Sequence, residues 1–134
     1  MGEVIKTGGV HHVALTVSDV KRAQAFYTEL LGFNHLVDYG TRVLLHNGSV
    51  VLALTPPPDP SQAIAADRFS ENRIGLDHLS LNVASMADLK AAAQLLEERG
   101  VDHGEVKPLD GFGIAVLAFR DPDNIQVELT APLG

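Results

Sequence analysis

Apolar and polar residues alternate along an extended stretch at two places in the chain, and the two places read almost alike. Across Val10–Val17, the residues Val13, Leu15 and Val17 fall on one side of a strand and His12, Ala14 and Thr16 on the other. The pattern returns 66 residues later across Leu76–Val83, with Leu79, Leu81 and Val83 on one side and His78, Ser80 and Asn82 on the other. After the first strand, Val20, Ala23, Phe26/Tyr27 and Leu30/Leu31 recur at helical spacing, with Ser18 and Asp19 as N-cap candidates and Gly32 as the stop. After the second, Leu89, Ala92 and Leu96 do the same. Ser85 and Asp88 form a capping box there, and Gly100 ends the helix.

Three further strands follow each helix. In the first half they are Phe33–Tyr39 and Thr41–His46 around Gly40, then Ser49–Thr55 after Asn47-Gly48, a pair suited to a type I′ hairpin turn. In the second half they are a strand near Asp102–Lys107, a loop at Pro108–Gly113, a strand at Ile114–Arg120 and a last strand at Ile125–Thr130. The turn before that last strand, Asp121-Pro122-Asp123-Asn124, has proline second and an asparagine tolerant of left-handed backbone fourth. The proline-rich stretch Pro56–Gly75 reads as a linker with one short helical turn at Ala63–Asp67. The pattern predicts an α+β protein of two tandem βαβββ modules, about 9–55 and 75–131, with a linker at about 56–74 inside a single domain, 1–134. A chain of 134 residues can bury such a core without staples.

Composition narrows the chemistry. The net charge of −7 and pI near 5.2 argue against a nucleic-acid or anionic-membrane partner. With no cysteine, disulfides, thiolate zinc sites and cysteine nucleophiles are excluded. Neither a signal-peptide pattern nor a membrane span is present, and a cytoplasmic location is expected.

Each first strand packs one face under its helix and leaves the other open. On the last strand the same alternation puts Val127 and Leu129 under the helix and Gln126, Glu128 and Thr130 on the open face. His12, His78 and Glu128 therefore share open-face placement. Two imidazoles and a carboxylate match a three-ligand site with vacant positions, suited to Fe²⁺ or Mn²⁺ and acceptable to Zn²⁺, Ni²⁺ or Co²⁺. Ser80, on the same open face as His78, is expected to contact substrate. Leu45, Val51 and Ala53 are expected to form an apolar wall for a ring or hydrocarbon group, and Phe112, between Gly111 and Gly113, a flap over the cleft. His11 reads as structural, Tyr27 as helix–sheet packing, and His35, His46 and His103 as solvated residues near turns.

These residues resemble the vicinal oxygen chelate superfamily, which groups glyoxalase I, extradiol dioxygenases, epimerases and the fosfomycin and bleomycin resistance proteins. The likeness runs from about Val10 to Thr130. It is carried by the strand holding His12, Asp19, the run Phe26–Phe33, the strand holding His78, and the run Asp121–Leu129 with Glu128. It implies a half-open barrel-like sheet around a cleft that holds a divalent metal, often completed in a homodimer. Glyoxalase I-like members carry a fourth ligand, Glu or Gln, where this chain has Ala53, which argues for a three-ligand site. The turn usually has glycine where this chain has Asn124. Two functions are open at this level. One is a metal-dependent dioxygenase, lyase or isomerase acting on a small oxygen-bearing substrate, with the metal as Lewis acid or O₂-activating centre. The other is a non-catalytic protein sequestering a hydrophobic natural product or drug.

Overall fold

The structure is a computed structural model in which residues 2–134 are described. The chain divides between Ile64 and Ala65 into two compact units. The first contains β1 (His12–Thr16), α1 (Val20–Glu29), β2 (Asn34–Tyr39), β3 (Arg42–His46) and β4 (Val51–Thr55). The second contains β5 (Leu79–Asn82), α2 (Met86–Glu98), β6 (Lys107–Leu109), β7 (Ile114–Arg120) and β8 (Gln126–Pro132). The βαβββ order is thus repeated, as the two alternating patterns predict. Each unit folds as an open four-stranded mixed sheet, ordered β1-β4-β3-β2 in one and β5-β8-β7-β6 in the other.

In both units the first strand pairs parallel with the last, and the remaining neighbours pair antiparallel. The equivalence reaches single bonds. The Val17 amide donates to the Thr55 carbonyl at 2.9 Å, and the Val83 amide donates to the Thr130 carbonyl at the same distance.

One face of each sheet lies under its helix. Helix α1 starts at Asp19, whose carboxylate accepts from the Arg22 amide at 3.1 Å, and packs Ala23 and Tyr27 inward. The Tyr27 ring is fully buried, edge-on to Phe26 and Phe33. Beneath it lie Leu45, Leu52 and Leu54. Helix α2 is capped by Ser85, which accepts from the Asp88 amide at 3.2 Å, and buries Leu89 and Leu96. Its partners are Leu117, Phe119, Val127 and Leu129. Each such apolar side chain contributes about 1.5–3 kcal/mol by burial, so these covered faces hold each sheet to its helix.

Several local expectations need correction. Asn47-Gly48 does not form a two-residue type I′ turn. His46 pairs with Val51, leaving a four-residue loop in which Gly48 alone of the two has positive φ, 91°. The Asn47 side chain explains this, since its Oδ1 accepts from the amides of Ser49 and Val50, both at 3.0 Å. The short helical turn of the linker sits at Pro60–Gln62, capped by Asp59, rather than at Ala63–Asp67. The strand expected near Asp102–Lys107 forms at Lys107–Leu109, and residues 110–112 continue as a 3-10 turn closed by Gly113 at φ 68°. Upstream, only His103 bridges to Phe119.

The turn before β8 forms as expected. Asp121, buried, accepts from the amides of Asp123 at 2.8 Å and Ile125 at 2.9 Å, and Asn124 takes the left-handed φ of 67°. Among the described residues, no helix is long and apolar enough to cross a membrane.

Candidate functional site

The open faces of the two sheets carry the candidate ligands, and strand register fixes which positions correspond. In the first unit Ala14 pairs with Ala53, and Ala53 also pairs with Leu44. In the second, Ser80 pairs with Glu128, and Glu128 also pairs with Ala118. Ala53 and Glu128 therefore hold the same place in the two sheets. The first unit's open face is apolar around that place, with Leu44, Val51 and Ala53. Leu45 does not belong to this wall. It pairs with Leu52 and is 0% exposed on the helix-covered face, so Leu44 stands where Leu45 was expected.

The second unit brings His78 and Glu128 together. His78 Nε2 lies 3.5 Å from Glu128 Oε1, with the imidazole 36% and the carboxylate side chain 18% exposed. On the far side of the ring, His78 Nδ1 lies 2.8 Å from Asp77 Oδ1. A carboxylate only accepts, so this contact places the proton on Nδ1 and leaves Nε2 of the neutral ring with a lone pair. Asp77 Oδ1 also accepts from the Gln126 side-chain amide at 3.0 Å. Below the pair, Ser80 Oγ and Thr130 Oγ1 are 2.5 Å apart, and Thr130 Oγ1 donates to Glu128 Oε1 at 3.5 Å.

This donor set fits a divalent cation. Two electron-rich atoms, Nε2 and Oε1, face one another at a distance longer than the about 2.7–3.2 Å of a good N–H···O bond. Their spacing is close to the about 3.4 Å that separates two donors bound at roughly 2.1 Å to one ion at a tetrahedral angle.

His12 lies in the first unit, exposed at the start of β1, with its Nδ1 2.9 Å from Nδ1 of His11. Among the described residues no group of three or more His, Asp or Glu side chains is gathered to hold a metal ion, so the observed element is the His78–Glu128 pair.

The other histidines take varied settings. His11 is exposed and faces His12. His35 is exposed and pairs with Asp38 at 2.8 Å. His46, at the end of β3, is half-buried opposite Val51 on the open face. His103 is not solvated. Its side chain is mostly buried between Glu97 at 2.7 Å and the Gly104 carbonyl at 2.6 Å, and the Glu97 carboxylate raises its pKa above the usual imidazole value. Phe112 is 80% exposed on its 3-10 turn.

Beside β7, a groove of about 360 Å³ is lined by Asp102, His103 and Gly104, by Ala118, Phe119 and Arg120, and by Gln126. Arg120 is held by Glu71 through a bidentate contact, its Nη2 2.5 Å from Glu71 Oε1, and by the Asn124 carbonyl at 3.2 Å. The guanidinium in turn lowers the Glu71 pKa below the usual carboxylate value. Asp77 and Gln126 are the site residues that pattern reading did not single out. The signal for both was present, in the acid directly before His78 and in the shared alternation of Gln126 with Glu128.

A family model for the glyoxalase/bleomycin resistance protein/dioxygenase superfamily matches residues 9–129, and the chain belongs to that superfamily. The uncharacterized protein YwkD of Bacillus subtilis (strain 168) is 31% identical over 128 residues, 90% of this chain and 94% of that one. A glyoxylase/bleomycin resistance protein/dioxygenase domain from Frankia sp. EAN1pec matches with a TM-score of 0.77 at 34% identity, covering 95% of this chain and 93% of that one. Lactoylglutathione lyase from Agrobacterium tumefaciens shares the fold, with a TM-score of 0.73 at 22% identity over 93% of this chain and 94% of that one.

Proposed function

We propose that the protein is a small metal-dependent enzyme of the glyoxalase/dioxygenase type, acting on a small oxygen-bearing organic substrate. The observation that carries this reading is the His78–Glu128 pair, two donors 3.5 Å apart on an open polar face. His12 is the proposed third ligand, because it holds in the first module the place that His78 holds in the second. Fe²⁺ or Mn²⁺ suits this nitrogen–oxygen set best, with Zn²⁺, Ni²⁺ and Co²⁺ as alternatives. When bound, such an ion supplies Lewis acidity toward substrate oxygens, or a centre for O₂ activation.

The chain's own residues divide the remaining work. Glu128 contributes negative charge, steadied by Thr130, and Ser80 keeps Thr130 in place. The groove beside β7 gives room for a small substrate next to Glu128, whose strand partner is Ala118. Leu44, Val51 and Ala53 offer apolar contact to a substituent. The family fold hosts many chemistries, so the reaction follows from the site and not from the fold.

The apolar open face of the first module also suits a second reading, a binding protein that sequesters a hydrophobic compound without turnover. A homodimer is proposed as the assembled form. In support, edge strand β2 exposes Leu36, Val37 and Tyr39, an apolar edge that a second copy would cover.

Metal analysis of protein purified without chelator tests the choice. One equivalent of a transition metal, lost in His78→Ala and Glu128→Ala, is the expected result. A protein that takes up no metal yet binds apolar ligands tightly establishes the sequestering reading instead.

A further inference from the structure

The two candidate histidines share a neighbour relation that their ligand role alone does not require. In each module the residue immediately before the histidine touches its Nδ1. Asp77 does so in the second, at 2.8 Å, and His11 in the first, at 2.9 Å. The partners differ in chemistry but act on the same ring atom. A carboxylate accepts from Nδ1–H, and so does the lone pair of a neutral His11 imidazole. The Asp77 contact leaves the Nε2 lone pair of His78 free, and the His11 contact does the same for His12 when His12 is the ring that donates. Asp77 is itself held from the other side, since Gln126 Nε2 donates to its Oδ1 at 3.0 Å. One carboxylate oxygen thus joins Gln126 on β8 to His78 ahead of β5.

We infer that His11 and Asp77 are positioning residues that set the tautomer and orientation of His12 and His78, with Gln126 fixing Asp77. Outer partners of this kind orient ligands and raise their basicity, and their loss typically costs about 10–100-fold in metal affinity. The inference rests on the proposed metal reading for its purpose but not for its test, because a tautomer can be read in metal-free protein.

The experiment is long-range ¹H–¹⁵N correlation of the histidine rings in full-length, metal-free protein at about pH 8.5, where an unperturbed imidazole is neutral. It is followed by Zn²⁺ affinity from chelator competition on the same samples. In the parent protein His78 is expected as the Nδ1–H tautomer. Asp77→Ala should move the proton toward Nε2 and lower Zn²⁺ affinity about 10–100-fold. Asp77→Asn keeps an acceptor oxygen and should restore much of both, a rescue that a merely structural role does not produce. Gln126→Ala should give a smaller loss of affinity, and His11→Ala should change the His12 ring while leaving His78 as it was.

A parent protein with the His78 proton on Nε2, or an Asp77→Ala protein that keeps it on Nδ1, overturns the inference. A parent protein that shows the expected tautomer but binds no Zn²⁺ overturns the metal reading, and leaves the control of the ring by Asp77 intact.

Discussion

The two modules agree under their helices and disagree on their open faces. On the covered side, Leu45 beside Leu52 corresponds to Phe119 beside Val127, and all four are buried. On the open side, Ala53 corresponds to Glu128 and Leu44 to Ala118, while Val51 corresponds to Gln126. Packing against a helix demands apolar bulk at the same positions in both copies, so the cores stay alike. No such demand acts on the open faces, and there one copy carries a carboxylate with its hydrogen-bonded surroundings while the other is apolar at the matching place around Ala53. A duplicated fold can therefore present a polar patch and an apolar patch at matching places from the same backbone plan.

The largest effects should come from breaking what the modules share. Leu45→Ala and Phe119→Ala each empty a fully covered position and should cost about 2–5 and 3–5 kcal/mol respectively, read by urea unfolding. A loss below about 1 kcal/mol at Leu45 would return that residue to the open wall.

Next come the positions that differ. Glu128→Ala should reduce Zn²⁺ affinity by more than the roughly 10–100-fold expected for an outer partner, with little change in unfolding free energy. Full metal occupancy in Glu128→Ala would place the carboxylate ligand elsewhere. Ala53→Glu is the converse, giving the first module the carboxylate of the second. On the proposed three-ligand reading, tighter Zn²⁺ binding with reduced turnover is expected, because a position open to substrate becomes filled. Unchanged Zn²⁺ affinity in this variant would remove Ala53 from the site.

The smallest effects concern pH, and they have opposite signs within the second unit. Glu71 has its pKa lowered by Arg120, so its contribution is present above the unfolded carboxylate pKa and fades as pH falls through the folded value. His103 has its pKa raised by Glu97, so its contribution is full below the unfolded imidazole pKa and fades as pH rises through the folded value. Thermal unfolding across pH should show Glu71→Gln flattening the acid side of the curve and His103→Gln the neutral-to-alkaline side. Identical pH profiles for parent and variants would show that these pairs do not couple folding to protons.

What the sequence determined by itself rests on short-range periodicity and turn chemistry. Alternation placed His12, His78 and Glu128 on open faces. Asp19 and Ser85 began the helices, and Asn124 closed the turn before β8 with the left-handed backbone that its short side chain permits. Tertiary structure decided what depends on partners distant in the chain. Val43-Leu44-Leu45 is apolar at three successive positions, so its alternation is silent, and only pairing with Leu52 assigns Leu45 to the core. Local chemistry misled at one place, because Asn47-Gly48 carries a hairpin signal, yet the Asn47 side chain captures the amides of Ser49 and Val50 and imposes a longer loop. The bond from Gln126 to Asp77 joins residues 49 apart, and it exists because β8 lies parallel to β5. Local pattern assigns a side chain to a face, whereas register between strands decides which side chains on that face meet.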